Sequence, residues 1–371
     1  MNASIIIPTY NRREALLTTL AALAQVDYPT GQWEAVVVDD GSTDDTAETV
    51  PRWIAESGAP VRYLHQRNAG PAAARNRGAA NARGEVLIFI DNDIIVPPAF
   101  ISEHLQTLKA NPGCWVIGRI THPPQLRATP FGRYRDAVWE AFHHGHAAAG
   151  VVETDGITAA NLALPAEDFR RLGGFDEDFT IASSEDWDLG VRARQAGIRV
   201  LYHPGIVVLH NDWAVSLEQF CRRQMLYSIS DVLLWRKYGE ASLRVRLVQE
   251  NAPVNWRADA LKLIVKKVFK RLLATKIGER IVHGGCWLVG RGAPDSRWNR
   301  RAYELAVAVA IFCGVREGWR RYGVRQAADR WHLHNFSGLQ NLPNGSWGIV
   351  QVQPTKNAQV PESPQRQLGD S

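Results

Sequence analysis

Val36-Val37-Val38-Asp39-Asp40-Gly41-Ser42 and, further along, Val86-Leu87-Ile88-Phe89-Ile90-Asp91-Asn92-Asp93 share one design: an apolar run that stops on carboxylates. A short, wholly apolar run bounded by turn residues reads as a buried strand. A third acidic cluster, Glu185-Asp186-Trp187-Asp188, opens a helix-like segment. Strands that end in carboxylates put negative charge at the carboxyl edge of a sheet, where open α/β sheets bind ligands. Crowded carboxylates repel one another unless a cation or a ligand's donors offset them. The pattern favours a site for a divalent metal and a phosphorylated ligand over a purely structural arrangement.

Working outward, short strands over 5–7, 35–38, 61–64, 86–90 and 114–120 alternate with helical patterns over 12–25, 71–83 and 98–110. A further helix carries Val50, Trp53 and Ile54, with Asp44 or Asp45 as its cap. Alternating elements with continuous apolar strands imply an α/β fold, a mostly parallel sheet covered by helices on both faces. Residues 121–160, containing Pro, Gly and His, read as a loop-rich insert. Helices over 165–172 and 185–196 and strands over 198–202 and 205–209 follow. From about 215 the style changes to long amphipathic stretches over 215–238, 259–283 and 300–322. The expected organisation is a catalytic domain over 1–213, a basic helical region over 214–334, and a tail over 335–371 whose polar end reads as disordered.

The net charge of +5 hides an asymmetry. Residues 1–213 carry 18 Lys and Arg against 26 Asp and Glu, a net of −8; residues 214–371 carry 25 against 12, a net of +13. A basic half suits an anionic partner, either lipid headgroups or a phosphorylated or acidic substrate; the plain alternative is a solvated helical surface. No nucleic acid is expected as a partner. Cys114, Cys221, Cys286 and Cys313 show no CxxC spacing, which argues against a disulfide framework or a zinc knuckle and suits a reducing cytosol. No secretory signal is visible ahead of Ser4-Ile5-Ile6-Ile7. The apolar run from Leu305 to Val315 is about half the roughly 20 residues a membrane span needs. The expected location is cytoplasmic, at most peripheral at the inner face of the cell membrane.

Each motif has a chemical reading beside a structural one. Asp91 and Asp93 at a strand end can reach a ribose hydroxyl and a metal, Mg²⁺ or Mn²⁺, held by carboxylates and substrate phosphates. Such an ion would neutralise a departing diphosphate. The alternative is an acidic turn. Asp39 and Asp40 can accept from a base or ribose, or serve capping chemistry. Among Arg67, Arg75 and Arg77, Arg75 reads as ligand-facing and Arg77 as surface charge. Asp186 can take the proton of an acceptor hydroxyl, with Glu185 orienting the acceptor or the base; both can equally open a capped helix. His210, ending Val207-Val208-Leu209, can complete a metal shell or act as a hydrogen-bonder. His143, His144 and His146 lack the partners of a zinc site and suit an acceptor pocket or a solvent-exposed cluster.

The order of these motifs resembles the family 2 glycosyltransferases, inverting nucleotide-sugar enzymes with a GT-A-type fold. The resemblance rests on IIIPTYNR (5–12), VVVDDGSTDDT (36–46), NAGPAAARNRGAANARGEVLIFIDND (68–93), NLALPAEDFRRLGGFDEDF (161–179), EDWDLGVRARQAG (185–197) and the His210 strand end. It implies that Pro8, Thr9, Tyr10 and Asp40 line a nucleobase pocket, with Asp39, Asn68, Arg75 and Asn92 supporting the nucleotide. It further implies Asp91 at the ribose, Asp93 at a Mg²⁺ or Mn²⁺ ion that Asp91 and His210 also approach, and Asp186 as base. The donor would be a nucleoside-diphosphate sugar, UDP- or dTDP-linked by preference. The acceptor would be a growing cell-surface glycan or lipid-linked oligosaccharide, as in polysaccharide biosynthesis. Processive relatives carry Gln-x-x-Arg-Trp and membrane helices; here the chain reads Gln219-Phe220-Cys221-Arg222-Arg223, so one sugar per encounter is expected. Two rivals are a nucleotidyltransferase, disfavoured by Pro8-Thr9-Tyr10-Asn11 where a Gly-rich phosphate loop would sit, and a non-catalytic nucleotide-sugar-binding module, disfavoured by three intact acidic pairs.

Overall fold

The computed structural model describes residues 1–147, 150–181, 183–239, 248, 250–292 and 295–322; the side chains of 141–147, 276, 277, 279, 287 and 289–292 are outside that description. The expected tail over 335–371 and the histidines of the 143–146 cluster therefore lie outside the described side chains.

Nine strands form one sheet: β1 (Ala3–Thr9), β2 (Trp33–Asp39), β3 (Val61–His65), β4 (Val86–Phe89), β5 (Ile94–Ile95), β6 (Cys114–Thr121), β7 (Val152–Glu153), β8 (Leu162–Pro165) and β9 (Arg199–His210). The order is β3-β2-β1-β4-β8-β6-β9-β5, with β7 also on β9. Strands β3, β2, β1 and β4 are parallel, and β8 runs against both β4 and β6. Strand β9 lies parallel to β6 and against β5 and β7. Six strands thus share one direction and end at one edge, so the sheet is mostly parallel.

Side chains alternate across the sheet. Ile5, Ile7 and Val37 face α1 (Arg13–Leu23) and α4 (Phe100–Ala110) through Leu16, Leu20, Phe100 and Ile101. Ile6, Val36, Val38 and Phe89 face α3 (Pro71–Ala80), α6 (Ala166–Arg171) and α7 (Glu185–Gln195). Burial on both faces explains why these strands read as unbroken apolar runs. Helix α2 (Thr46–Ser57) starts after Asp45, yet the carboxylate accepting its Thr46 N–H is that of Asp44. Residues 121–160 are not loop-rich: Pro130–Ala147 forms helix α5, whose Trp139 indole N–H donates to the Ile120 carbonyl. Pro130 begins that helix, where its missing N–H leaves no bond unmade.

Among the described residues, long helices follow: α8 (Leu217–Tyr238), α9 (Leu261–Leu273), α10 (Lys276–Gly292) and α11 (Arg297–Arg321). The amphipathic stretch over 259–283 falls on two helices, α9 and α10, separated at Ala274-Thr275. The expected strands 198–202 and 205–209 are one strand, β9, whose register against β6 shifts at Gly118-Arg119.

That shift is held by Asn161, buried where β6, β8 and β9 converge. Its Nδ2 donates to the Arg119 and Ile206 carbonyls, its Oδ1 bonds His104 Nε2 at 2.9 Å, and its carbonyl accepts from Gly118 N–H. A Cβ on Gly118 would meet Asn161 Nδ2 at 2.2 Å and the Ile206 carbonyl oxygen at 2.4 Å. Gly118→Ala is therefore expected to lower stability by about 1–3 kcal/mol, as overpacked cores do. A urea midpoint equal to that of the parent would contradict this.

Candidate active site

Parallel strands bring their carboxyl ends to one edge, where ligands of open α/β sheets sit. Pro8, Thr9 and Tyr10 end β1, Asp39 and Asp40 end β2, Asp91, Asn92 and Asp93 follow β4, and His210 ends β9. Tyr10 is exposed, while Pro8 and Thr9 are buried. Asn92 Nδ2 donates to Thr9 Oγ1 at 2.9 Å, tying the β1 and β4 ends together.

The two β2 carboxylates are buried and engaged. Asp39 accepts from Ser42 N–H at 2.8 Å and from the Tyr63 hydroxyl, and burial with that bond raises the Tyr63 phenol. Asp40 accepts from Gln66 Nε2 and from the Ala69 and Gly70 N–H groups at 2.7–2.9 Å. Asp40 thereby shapes the loop that carries the exposed Asn68. Gly70 adopts φ +95°, and a Cβ there would meet the Thr180 carbonyl oxygen at 2.9 Å.

Arg75 is buried on α3 rather than aimed at solvent. Its Nη1 donates to Glu185 Oε1 at 2.7 Å and its Nη2 to Asp91 Oδ1 at 2.6 Å. Its guanidinium also lies over the Phe175 ring, 5.5 Å from the centroid. Glu185 is buried, its second oxygen accepting from Ser183 N–H. Asp186, next along α7, is half-buried and accepts from Trp187 N–H at 2.8 Å. Burial and the Glu185 charge raise the Asp186 carboxyl well above the usual range, with Arg75 offsetting part of the effect. A raised carboxyl is a stronger base when ionised, which suits proton removal.

Across the cleft, β5 pairs with β9 so that Ile94 faces His210. Asp93 Oδ1 then lies 3.2 Å from His210 Nε2, and Arg12 reaches Asp93 at 3.5 Å. Burial alone would raise the Asp93 carboxyl, yet His210, Arg12 and Arg223 hold it below the usual range. Burial likewise would lower His210, but Asp93, Asp212 and Asp91 hold it above the usual imidazole value. The β6–β9 pairing sets His122 beside His210, ring centroids 5.7 Å apart. Burial and the His210 charge push His122 down to about 4, so it is neutral at pH 7.

His122, His210 and Asp212 present ligand atoms within 4.8 Å of one another. Both Asp212 oxygens are already bound, by Arg135 at 2.9 Å and Arg223 at 2.5 Å, which weakens Asp212 as a ligand. Asp93 and His210, 3.2 Å apart, offer a second pair of donor atoms at this edge, while Asp91 is engaged by Arg75; carboxylate oxygens suit Mg²⁺ and Mn²⁺, and an imidazole suits Mn²⁺ better. Beside this pair opens a cleft of about 450 Å³, lined by Arg12, Asp212, Gln219, Arg222 and Arg223. Arg12, His122, Asp212 and Arg223 are absent from the sequence-derived set. Asp212 stands two residues past His210, and that proximity was the one signal available for it.

Residues 4–145 match the family model described as glycosyl transferase family 2. Over those residues the chain is similar to the family 2 glycosyltransferases. Validoxylamine A glucosyltransferase of Streptomyces hygroscopicus subsp. jinggangensis is 33% identical over 220 residues, which is 53% of this chain and 52% of the relative. Poly(ribitol-phosphate) beta-N-acetylglucosaminyltransferase TarS of Staphylococcus aureus is 36% identical over 111 residues, 28% of this chain and 19% of that one. The chain spans about half the length of the first curated relatives it matches. Among solved structures, mannosyltransferase PcManGT from Pyrobaculum calidifontis, in complex with GDP-Man and Mn²⁺, superposes with a TM-score of 0.56 at 20% identity, covering 84% of this chain and 86% of that one. That likeness gives the fold, which is GT-A.

Arg75 neutralises two carboxylates, one of them wholly buried. Removing one partner of a buried pair is costly because the other charge stays uncompensated. Arg75→Met is expected to lower stability by about 3–5 kcal/mol, read from chemical denaturation; a loss below 1 kcal/mol, of the order of an exposed ion pair, would contradict the bridging role.

Proposed function

We propose that this glycosyltransferase moves one sugar per encounter from a nucleoside-diphosphate sugar to a hydroxyl acceptor, with inversion at the anomeric carbon. The observation that carries the reading is the Arg75 bridge: it ties Asp91, at the strand end that leads to Asp93, to Glu185, at the helix start that carries Asp186. The residues over 1–213 act as the catalytic part, and 214–334 as the helical region that braces it. Pro8, Thr9, Tyr10, Asn68 and Asn92 would border the nucleotide, with Asp39 and Asp40 shaping the pocket from behind. Asp91 would meet the ribose. The relatives named as glucosyl- and N-acetylglucosaminyltransferases support hexosyl transfer, and a UDP- or dTDP-linked donor is the reading preferred here.

Asp93, Asp91 and His210 would hold Mg²⁺ or Mn²⁺. When bound, the ion supplies Lewis-acid neutralisation of the leaving diphosphate. Arg12, Arg222 and Arg223 line the adjoining cleft and offset the same charge. Asp186 accepts the acceptor's hydroxyl proton as the new bond to the anomeric carbon forms. The bond to the diphosphate oxygen breaks on the opposite face, and its electron pair leaves with the nucleoside diphosphate. Glu185, buried and engaged, is a positioning residue that acts through Arg75 and through its charge on Asp186. The acceptor is a growing cell-surface glycan or lipid-linked oligosaccharide presented at the inner face of a membrane, a reading supported by the basic 214–371 half.

Asp186→Asn is expected to keep donor binding while transfer falls about 100-fold or more, the scale of a lost general base. Asp93→Asn is expected to lower transfer as well, but by a different route, erasing the Mn²⁺-dependent part of donor binding. Near-normal transfer by Asp186→Asn would assign the base elsewhere. Because Asp186 must be ionised to act and its carboxyl is raised, kcat/KM should fall with acid along a limb centred above the ordinary aspartate value of about 3.9. A limb at or below that value would contradict the role.

A further inference from the structure

Helix α9 is turned the wrong way round for water. Leu261, Val265, Phe269 and Leu272 are 76%, 60%, 51% and 68% exposed, and Val268 joins them. Spacings of three and four place these side chains on one helical face. Lys267 and Lys270, on the opposite side, are 1% and 3% exposed. Lys267 Nζ donates to Asp259 at 2.8 Å, and Lys270 Nζ to Asn251 at 2.6 Å. Burial and the Lys266 charge lower the Lys270 ammonium to about 8. Water alone would favour the opposite rotation, with lysines out and apolar side chains in.

The outward apolar face continues onto α10, where Ile281 and Leu288 are exposed. An apolar cleft of about 290 Å³ joins the two helices, lined by Phe269, Ile281 and Leu305 among others. Exposed Lys262 and Lys266 flank the α9 face on one side and exposed Arg271 on the other, with Arg280 at the start of α10. Trp256, just ahead of α9, is exposed as well. No helix among the described residues is long and apolar enough to cross a membrane.

We infer that the outer face of α9 and α10 docks on an anionic lipid bilayer, its apolar side chains in the headgroup boundary and its flanking cations on the headgroups. An apolar face edged by Lys and Arg is the form of an interfacial helix, and juxtamembrane cations add affinity for anionic leaflets. A second copy fits less well, because a two-fold contact through this face would set its like-charged flanks together. The inference deepens the membrane-side reading above and is independent of the donor site.

The test is sedimentation of the full chain with vesicles of phosphatidylcholine alone or of equal parts phosphatidylcholine and phosphatidylglycerol, at low and high salt. The chain is expected to sediment with the anionic vesicles at low salt and to release in part at high salt. Val265→Ser/Phe269→Ser/Leu272→Ser, at exposed positions, should keep its fold by circular dichroism and lose about tenfold or more in partition. Lys262→Glu/Arg271→Glu should lose the preference for anionic vesicles. No sedimentation of the parent, or equal sedimentation of the triple serine variant, would overturn the inference. So would a parent dimer that the triple variant converts to monomer, which would assign the face to a second copy. Donor-induced stabilisation, measured in parallel on the triple variant, should be unchanged; its loss in the parent too would count against the donor site alone.

Discussion

One guanidinium, Arg75, stands between Asp91 at the end of β4 and Glu185 at the start of α7. The two carboxylates come from segments far apart in the chain, and Glu185 lies where water does not reach. A buried carboxylate without a partner loses its charge or destabilises the fold. Arg75 gives both a charged partner and ties a strand edge to a helix terminus. The Asp186 environment follows from the same contact. Burial and the neighbouring Glu185 carboxylate raise the Asp186 carboxyl, with Arg75 offsetting part of the effect.

The helices after β9 belong to the same electrostatic arrangement. Asp188, one turn into α7, is wholly buried and binds Arg192 at 2.6 Å, Lys237 at 2.6 Å and the Tyr238 hydroxyl at 2.7 Å. Lys237 also pairs with Asp176 and lies over the Phe179 ring. The last turn of α8 therefore clamps the helix that carries Asp186 and the turn beside it. At its other end, Arg223 joins Arg135 on Asp212, next to His210. Helix α8 in turn lies close against α11, where a Cβ on Gly314 would meet the Met225 carbonyl oxygen at 2.1 Å. Residues 1–213, at −8, and residues 214–322, at +12, are joined by these ion pairs.

The strands that frame the cleft were legible because burial on both faces leaves a continuous apolar run, as in Val36–Val38 and Leu87–Ile90. The acids after them were legible because nothing in a buried strand calls for them. Strands β5 and β7, two residues each, are shorter than any periodicity can register, and β8 gives no sign that it runs antiparallel between β4 and β6. Helix α5 was hidden by Pro130, Gly132 and the histidines, which read as loop when its partners are unknown. Arg75 was legible as a site residue but not as a bridge, since its partner Glu185 enters only through the fold. Arg12 and His122 reach Asp93 and His210 through strand pairing alone. The rotation of α9 was hidden for a related reason: Lys267 and Lys270 find Asp259 and Asn251 only once the helices pack.

The central claim is a metal-assisted nucleotide-sugar site at the carboxylate edge, and thermal unfolding with UDP-, dTDP- and GDP-sugars, each with Mn²⁺ and with EDTA, tests it most directly. A ligand that binds the native state alone raises the melting temperature by mass action. One nucleotide class raising it with Mn²⁺, and losing that effect in EDTA, is the predicted result. No shift with any nucleotide sugar, or a shift of equal size in EDTA, would contradict it.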